Sequence, residues 1–259
     1  MKDNSMNDKC IEYFKMILAG KKIEVECNYR FVFSMCHRYL AEFEQPDFIV
    51  RASLDEIVSR RVPINEELIN IPGIAMRYAD EYIEPYVVYQ KIADQMIQYD
   101  TLLMHGAVIA KDNNAYMFMA PSNVGKSTRA KLWLEEYQDS IIVNGDKPLI
   151  KITEDNAIAC GTPWCGKEGW NTNIMVPLRA ILMLERADDN RKSEIEEIGL
   201  AKAFPSLLSQ TYHPSNDDFM RKTIHLLKKL DGKVSFYRFR STPTLNAIRL
   251  AYETVCPRQ

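Results

Sequence analysis

The sequence predicts an α/β protein with α+β character, in which a mixed sheet follows a smaller N-terminal module. Segments with apolar residues at helical spacing alternate along the chain with apolar runs typical of buried strands. Two such runs near residue 110 are separated by only four polar residues, which allows an antiparallel hairpin but no parallel pair. The second run leads directly into a glycine-containing loop and a helix. We therefore expect an N-terminal α/β module over 1–98 and a second domain over 99–259.

The composition argues against several classes of function. The 259 residues carry a formal net charge of −2, which argues against a dedicated nucleic-acid-binding protein. The N-terminus has no apolar signal core and no apolar run reaches the length of a bilayer span, so we expect a cytoplasmic protein without a membrane partner. The six cysteines are scattered without zinc-site spacing, which indicates reduced thiols.

The N-terminal module consists of short alternating elements. Strands are predicted over KIEVEC (22–27) and FIVRAS (48–53), and segments of helical or mixed character over 11–20 and 31–43. A helix is predicted over 86–100 from apolar residues that recur on one face, namely Val88, Ile92, Met96 and Ile97. None of these segments carries a chemical motif, so we expect them to serve packing.

The second domain begins with the hairpin, whose strands are LLMHGAVIA (102–110) and AYMFMA (115–120). The elements predicted after it are a helix over 127–137, two strands around Asn144–Gly145–Asp146, a strand at AIAC (157–160), a glycine-rich loop over 161–173, a strand over 178–186, helices near 200–210 and 217–230, and a strand at KVSFYRF. The last helix is expected to begin at Ser241 or Thr242 with Pro243 in its first position.

The loop after the hairpin matches the phosphate-binding pattern GxxxxGK[ST], except that Ala120 replaces the first glycine. In such loops the backbone amides surround phosphate oxygens, the lysine neutralises the terminal phosphates and the hydroxyl binds Mg²⁺. The expected nucleotide-binding residues are Pro121, Ser122, Asn123, Val124, Gly125, Lys126, Ser127 and Thr128. The alternative is an ordinary helix start that carries a coincidental GKST.

Asp146 and His105 are the candidates for chemistry beside this loop. Asp146 ends a strand that we expect to lie beside the strand entering the loop, and carboxylates at strand ends of open sheets face the ligand. It is a candidate Mg²⁺ ligand and proton acceptor, and the alternative is a turn residue after Asn144–Gly145. His105 lies in the first hairpin strand, and such a histidine alone is more often a satisfied core residue.

Taken in order, LLMHGAVIA, the hairpin turn, AYMFMAPSNVGKST, the helix and IIVNGD resemble the catalytic core of the HPr kinase/phosphorylase family. The resemblance covers roughly residues 100–190 and implies a P-loop kinase core of the type shared with nucleotide-dependent phosphoenolpyruvate carboxykinases. It implies that Gly125, Lys126 and Ser127 bind phosphate and Mg²⁺, with ATP as the donor. It further implies that His105 is the active-site histidine, that Asp146 takes the proton of the phosphorylated hydroxyl, and that the chain forms a homo-oligomer.

The chain departs from the family pattern at three places. Gly145 stands where the family has the first of two paired aspartates, and the family's later metal-binding glutamate before an arginine–glycine pair is not recognisable. No segment matches the one tied to phosphate removal, so kinase chemistry is favoured over phosphorylase chemistry. The loop GTPWCGKEGWNTN occupies the region of the lost glutamate. In it, Trp164 and Lys167 are candidates for contacting substrate or phosphate and Glu168 for binding Mg²⁺, and the alternative is a solvated Lys–Glu pair.

Together these features predict a Mg²⁺-dependent kinase that uses ATP to phosphorylate a serine hydroxyl, on a peptide or protein. Two alternatives remain open. A nucleotide-sensing protein without catalysis would be consistent with the missing aspartate at Gly145. A kinase of a small hydroxylated molecule would be favoured by a deep closed pocket around Trp164 and Trp170.

Overall fold

The computed structural model describes residues 11–69, 78–187 and 192–256. These residues form twelve strands and seven α-helices, in two compact units that divide between Gln95 and Met96. No helix in these ranges is long and apolar enough to cross a membrane. The five cysteines that lie in them form no disulfide bond, and Cys10 lies outside the described residues.

The first unit is built on a three-stranded sheet. Its elements are β1 (Glu12–Leu18), β2 (Lys21–Cys27), α1 (Arg30–Cys36), β3 (Phe48–Arg51), α2 (Leu54–Ile69) and most of α3 (Asp80–Gln98). β1 pairs antiparallel with β2, and β3 lies parallel to β2 on the other side. The prediction of helical or mixed structure over 11–20 was therefore wrong: Phe14, Met16 and Leu18 alternate with more exposed residues, which is the period of a strand with one buried face.

The second unit contains the remaining elements. They are β4 (Thr101–Leu103), β5 (Gly106–Lys111), β6 (Asn114–Met119), α4 (Lys126–Glu136), β7 (Ile141–Asn144), β8 (Leu149–Ile152), β9 (Ala157–Cys160), β10 (Met175–Arg186), β11 (Glu194–Ile198), α5 (Leu200–Ser209), α6 (Asp217–Lys228), β12 (Ser235–Ser241) and α7 (Leu245–Val255).

The nine strands form a mixed sheet around β10. The C-terminal part of β10 lies between β6 and β12 and is parallel to both, whereas its first residues pair antiparallel with β9, which continues to β8 and β4. β5 and β6 form the predicted antiparallel hairpin, with Gly106 opposite Met119. β7 pairs with β5 rather than with β6, so the strand that leads to Asp146 lies one strand further from the loop than the sequence suggested.

Alternating side chains of the hairpin enter two cores on opposite faces of the sheet. Met117 and Met119 pack in a cluster that includes residues of α5 and α6, whereas Tyr116 and Phe118 pack in one that includes residues of α4 and α7. The hairpin is therefore buried on both faces, which explains its continuous apolar sequence.

Two predicted boundaries differ from the structure. The first hairpin strand is interrupted after Leu103 and resumes at Gly106, which leaves His105 in the gap rather than inside a strand. The last helix begins at Leu245, because the Thr244 hydroxyl accepts a hydrogen bond from the Ala247 amide and caps it there. Helix α2 and strand β11 had no counterpart in the sequence prediction.

Candidate functional site

The segment between β6 and α4 turns sharply and leaves the helix start open. Asn123 and Gly125 have positive φ values of 65° and 106°, which glycine and asparagine adopt more readily than other residues. Gly125 precedes the first residue of α4, and no side chain caps this helix end. The first amides of a helix without such a cap are available to bind an anion.

Two arginines donate hydrogen bonds to carbonyl oxygens of this loop. The Arg129 guanidinium donates to the carbonyl oxygens of Val124 and Gly125, at 3.3 Å each, and Arg186 donates to the carbonyl of Asn123. Arg129 is buried and also donates to Ser241, and burial lowers the pKa of its guanidinium. Because C=O and N–H point in opposite directions in a trans peptide, the amides that follow these three carbonyls point away from the arginines. Successive amides presented in this way suit an anion.

Lys126 is folded back onto the loop that precedes it. Its Nζ donates to the carbonyl oxygens of Ala120 at 2.8 Å and Pro121 at 3.2 Å, and only 8% of the residue is exposed. Burial lowers the pKa of the Lys126 ammonium, and the nearby carboxylate of Asp146 opposes this effect. The lysine therefore connects the two ends of the loop and lies close to the carboxylate predicted to act with it.

Asp146 is positioned by a buried asparagine that the sequence analysis treated only as part of a turn. The side-chain oxygen of Asn144 accepts hydrogen bonds from the amides of Asp146 and Lys147, at 2.8 and 2.7 Å. Its Nδ2 donates to both the carbonyl and the hydroxyl of Thr162, at 3.0 Å each. Asn144 and Thr162 are fully buried. The signal was present in the sequence, since an asparagine at a strand end commonly binds the amides two and three residues on.

The side chains of His105 and Asp146 are in contact, as expected if the two residues act together beside the loop. Nε2 of His105 lies 3.2 Å from Oδ1 of Asp146, and Nδ1 lies 2.8 Å from the side-chain oxygen of Gln210. Burial acts to raise the pKa of Asp146, but the hydrogen bond from His105 and the charges of Lys147 and Lys126 outweigh it, so the pKa lies below the usual value. Asp146 is therefore a carboxylate at neutral pH.

The loop over 161–173 packs against this carboxylate and explains the glycine at position 145. A Cβ on Gly145 would lie 2.9 Å from the carbonyl oxygen of Cys165, and the Gly145 amide donates to the carbonyl of Trp170. A second aspartate does not fit there without moving the loop. Gly166 lies against Asp146 on the other side, where an added Cβ would be 3.2 Å from the Cβ of Asp146.

These elements enclose an open polar cleft of about 570 Å³. Its lining residues are His105, Ser122, Asn123, Gly125, Lys126, Ser127, Thr128, Gly145, Asp146, Gly166, Lys167 and Glu168. The structure thus brings together nearly all of the sequence-predicted site residues. The exceptions are Pro121 and Val124, which are not among the lining residues, and Trp164, which is buried. Sequence reasoning missed Asn144, Gln210 and Arg129, and also the half-buried Lys147, whose pKa burial lowers.

The oxygen ligands of the cleft suit Mg²⁺ bound together with a nucleotide. Ser127, Asp146 and Glu168 line the same cleft and carry the hard oxygen atoms that Mg²⁺ prefers. No three or more His, Cys, Asp or Glu side chains gather into a metal site in the part of the chain that the structure describes. Mg²⁺ at nucleotide sites commonly takes one or two protein carboxylates and fills its remaining positions with phosphate and water. The residues therefore fit a metal that arrives with phosphate.

Comparison with known proteins gives distant similarity to solved structures. No protein-family model matches the sequence. No curated protein matches it either. Among solved structures, the chain is similar to the Hpr(Ser) kinase/phosphatase from Coxiella burnetii, with 12% identity and a TM-score of 0.34, over 58% of this chain and 98% of that one. At this TM-score neither a shared activity nor shared site residues follow for the present chain.

Proposed function

We propose that this protein is a Mg²⁺-dependent ATP phosphotransferase that phosphorylates a serine hydroxyl on a peptide or protein. The observation that carries the proposal is that the His105–Asp146 pair and Lys126–Ser127 line one cleft. A carboxylate held ionised beside a phosphate-type loop supplies both requirements of phosphoryl transfer, which are placement of the phosphates and acceptance of the hydroxyl proton.

In the proposed reaction the phosphates of ATP lie against the first amides of α4. Lys126 would exchange its two carbonyl partners for phosphate oxygens, which is favourable because those carbonyls are neutral and the phosphates are charged. Ser127, Asp146 and Glu168 would hold Mg²⁺, which neutralises phosphate charge when it is bound. The bond between the γ-phosphorus and the bridging oxygen breaks, a bond to the acceptor oxygen forms, the acceptor proton moves to Asp146, and ADP leaves.

The character of the cleft supports a peptide or protein acceptor. The cleft is open and its lining residues are polar or glycine, with neither Trp164 nor Trp170 among them. Trp170 instead packs against the core beside α4 and α7. A small substrate usually requires a concave and largely apolar pocket that surrounds it. The small-molecule alternative therefore loses the feature that would have favoured it.

A nucleotide-sensing protein without catalysis is the second candidate, and the crowding at Gly145 favours it. Only one carboxylate is present where the resembled family has two, and the close approach of the Cys165 carbonyl leaves no space for another. Such a protein would bind nucleotide with an affinity that depends on Lys126 and would transfer no phosphate to any acceptor. A homo-oligomeric assembly and a cytoplasmic location remain part of the proposal.

The direct test is transfer of label from γ-labelled ATP to a panel of serine-containing peptides and proteins, with Mg²⁺ present. We expect Asp146→Asn to lower the transfer rate by about 10²-fold to 10⁴-fold, because the amide cannot accept the proton. Asp155→Asn, in the exposed turn between β8 and β9, is the matched control and should retain full activity. Unchanged transfer by Asp146→Asn would exclude it as the base, and nucleotide binding without transfer would favour the sensing protein.

A further inference from the structure

The segment that follows α5 fills the gap between β4 and β5 and fixes the backbone at His105. The amide of His105 donates to the carbonyl of Gln210 at 2.7 Å, and the amide of Tyr212 donates to the carbonyl of Leu103 at 2.8 Å. Met104 and Thr211 form a single antiparallel bridge between these two contacts. Residues 210–212 therefore act as a short additional strand, and they hold Gln210 beside the histidine of the cleft.

The side chain of Gln210 makes a second and more specific contact with His105. Its Oε1 lies 2.8 Å from Nδ1 of the imidazole, while its Nε2 donates to the Ser209 hydroxyl at 3.3 Å. The Ser209 hydroxyl donates its proton to the carbonyl of Ser206, so it accepts from the amide nitrogen of Gln210. The amide oxygen therefore faces the ring, and Nδ1 is the donor. The opposite ring nitrogen, Nε2, is directed at Asp146. With a partner on each nitrogen, the ring cannot rotate without losing both contacts.

We propose that Gln210 is a positioning residue for the phosphoryl acceptor side of the cleft. Its side-chain oxygen accepts from Nδ1–H of His105 and so fixes the orientation of the ring, which directs Nε2–H at Oδ1 of Asp146. This inference rests on the proposed function, in which Asp146 takes the proton of the acceptor hydroxyl as the new P–O bond forms. Gln210 itself touches neither substrate nor metal in this arrangement.

Because Gln210 lies on the acceptor side of the cleft, we expect a change at this residue to affect kcat and not the KM for ATP. Lys126 and Ser127 belong to α4 and have no contact with Gln210 among the hydrogen bonds of the described residues, so loss of the Gln210 side chain should leave ATP binding intact. Misplacement of a catalytic group by about 1 Å costs up to about 10²-fold in rate. We therefore expect Gln210→Met, which keeps the length but loses the acceptor, to lower kcat by about 10-fold to 10²-fold at unchanged KM for ATP.

The test combines that kinetic measurement with the ¹⁵N spectrum of the histidine rings in the full chain without nucleotide. The His105 signals are assigned by their loss in His105→Gln, since the chain has four histidines. Gln210→Met should shift the Nδ1 signal of His105, whereas Gln210→Glu, which retains an oxygen for Nδ1–H, should preserve the Nδ1–H signature and restore most of kcat. Gln138→Met, on the exposed segment after α4, is the control and should change neither readout.

The two readouts separate this inference from the proposed function. The backbone contacts of Gln210 do not depend on its side chain, so Gln210→Met should keep its fold, and a thermal melt confirms this. A His105 spectrum and a kcat that both remain as in the wild type would overturn the positioning role. If the wild type transferred phosphate to no acceptor, the proposed function would fail, and an unchanged or a shifted Nδ1 signal in Gln210→Met would still decide whether Gln210 sets the imidazole.

Discussion

The two walls of the cleft are built in different ways. The loop wall, residues 120–128, is held largely by near neighbours in sequence: Lys126 reaches six residues back to Ala120, and Arg129 reaches five residues back to Val124. The carboxylate wall consists of His105, Asn144, Asp146 and Gln210. Its contacts join residues 105 positions apart for His105–Gln210 and 18 apart for Asn144–Thr162.

The difference separates what each wall contributes. The loop wall is a contiguous segment and can therefore be recognised as a sequence motif. It supplies backbone amides and one ammonium group, which bind phosphate in many unrelated proteins. The carboxylate wall forms only when the sheet has folded. It supplies the groups that would take the proton of the acceptor hydroxyl and so direct the transfer of the phosphate. Changes in the loop wall should therefore affect nucleotide binding and rate together, whereas changes in the carboxylate wall should affect rate and folding stability.

Within the loop wall, the largest effect is expected from Lys126→Met, which keeps the length of the side chain but removes its charge. Phosphotransfer should fall by roughly 10²-fold to 10³-fold, with weaker nucleotide binding, because the ammonium is buried in the cleft beside the loop proposed to bind the phosphates. Steady-state kinetics and nucleotide titration measure the two effects. Lys131→Met, exposed on the same helix, should behave as the wild type, and equal behaviour of both variants would remove Lys126 from the site.

A smaller effect on rate and a larger effect on stability are expected from Asn144→Ala in the carboxylate wall. The change leaves two half-buried amides without their acceptor and removes the buried donor to Thr162, so the free energy of unfolding should fall by about 2–4 kcal/mol. Denaturant titration measures this loss. The control Asn156→Ala, in an exposed turn, should cost less than about 0.5 kcal/mol. Similar losses in the two variants would contradict the role of Asn144.

Gly145→Asp asks whether the missing carboxylate can be restored. The added Cβ would approach the Cys165 carbonyl to 2.9 Å, so the loop over 161–173 must move, at a cost of about 1–3 kcal/mol. We expect lower thermal stability and no gain in phosphotransfer. Gly199→Asp is the comparison, because a Cβ there meets nothing within 4 Å, and it should be tolerated. A more active Gly145→Asp variant would show that the second carboxylate is accommodated after all.

The smallest effect is expected from Lys167→Ala at the rim of the cleft. The side chain is exposed, so its attraction to phosphate is screened by water and salt, and the loss in kcat/KM should be about tenfold or less. The loss should shrink further as the ionic strength rises from low salt to about 0.5 M. A large effect that salt does not change would instead place Lys167 in direct contact with the transferred phosphate.

The sequence predicted the elements whose pattern is local. The hairpin and the helix after the loop follow from continuous apolar runs and short turn signals, and Val88, Ile92, Met96 and Ile97 are all buried on α3 as predicted. The failures have a shared cause. The apolar residues of segment 11–20 do not distinguish a strand from a helix, and pairing with β2 decides in favour of the strand. The break at His105 arises because residues 210–212 pair with the chain there.

By itself the sequence determined the strand–loop–helix that carries Lys126 and Ser127, because backbone geometry at Asn123 and Gly125 and helix initiation depend on adjacent residues. Only the tertiary structure decided the carboxylate wall. In the folded sheet β7 pairs with β5, Asn144 donates a hydrogen bond to Thr162, and the side-chain oxygen of Gln210 contacts Nδ1 of His105. These contacts join segments that approach one another only when their apolar strands are buried together. The sequence therefore predicted His105 and Asp146 as candidates but not the contacts of Asn144 with Thr162 and of Gln210 with His105.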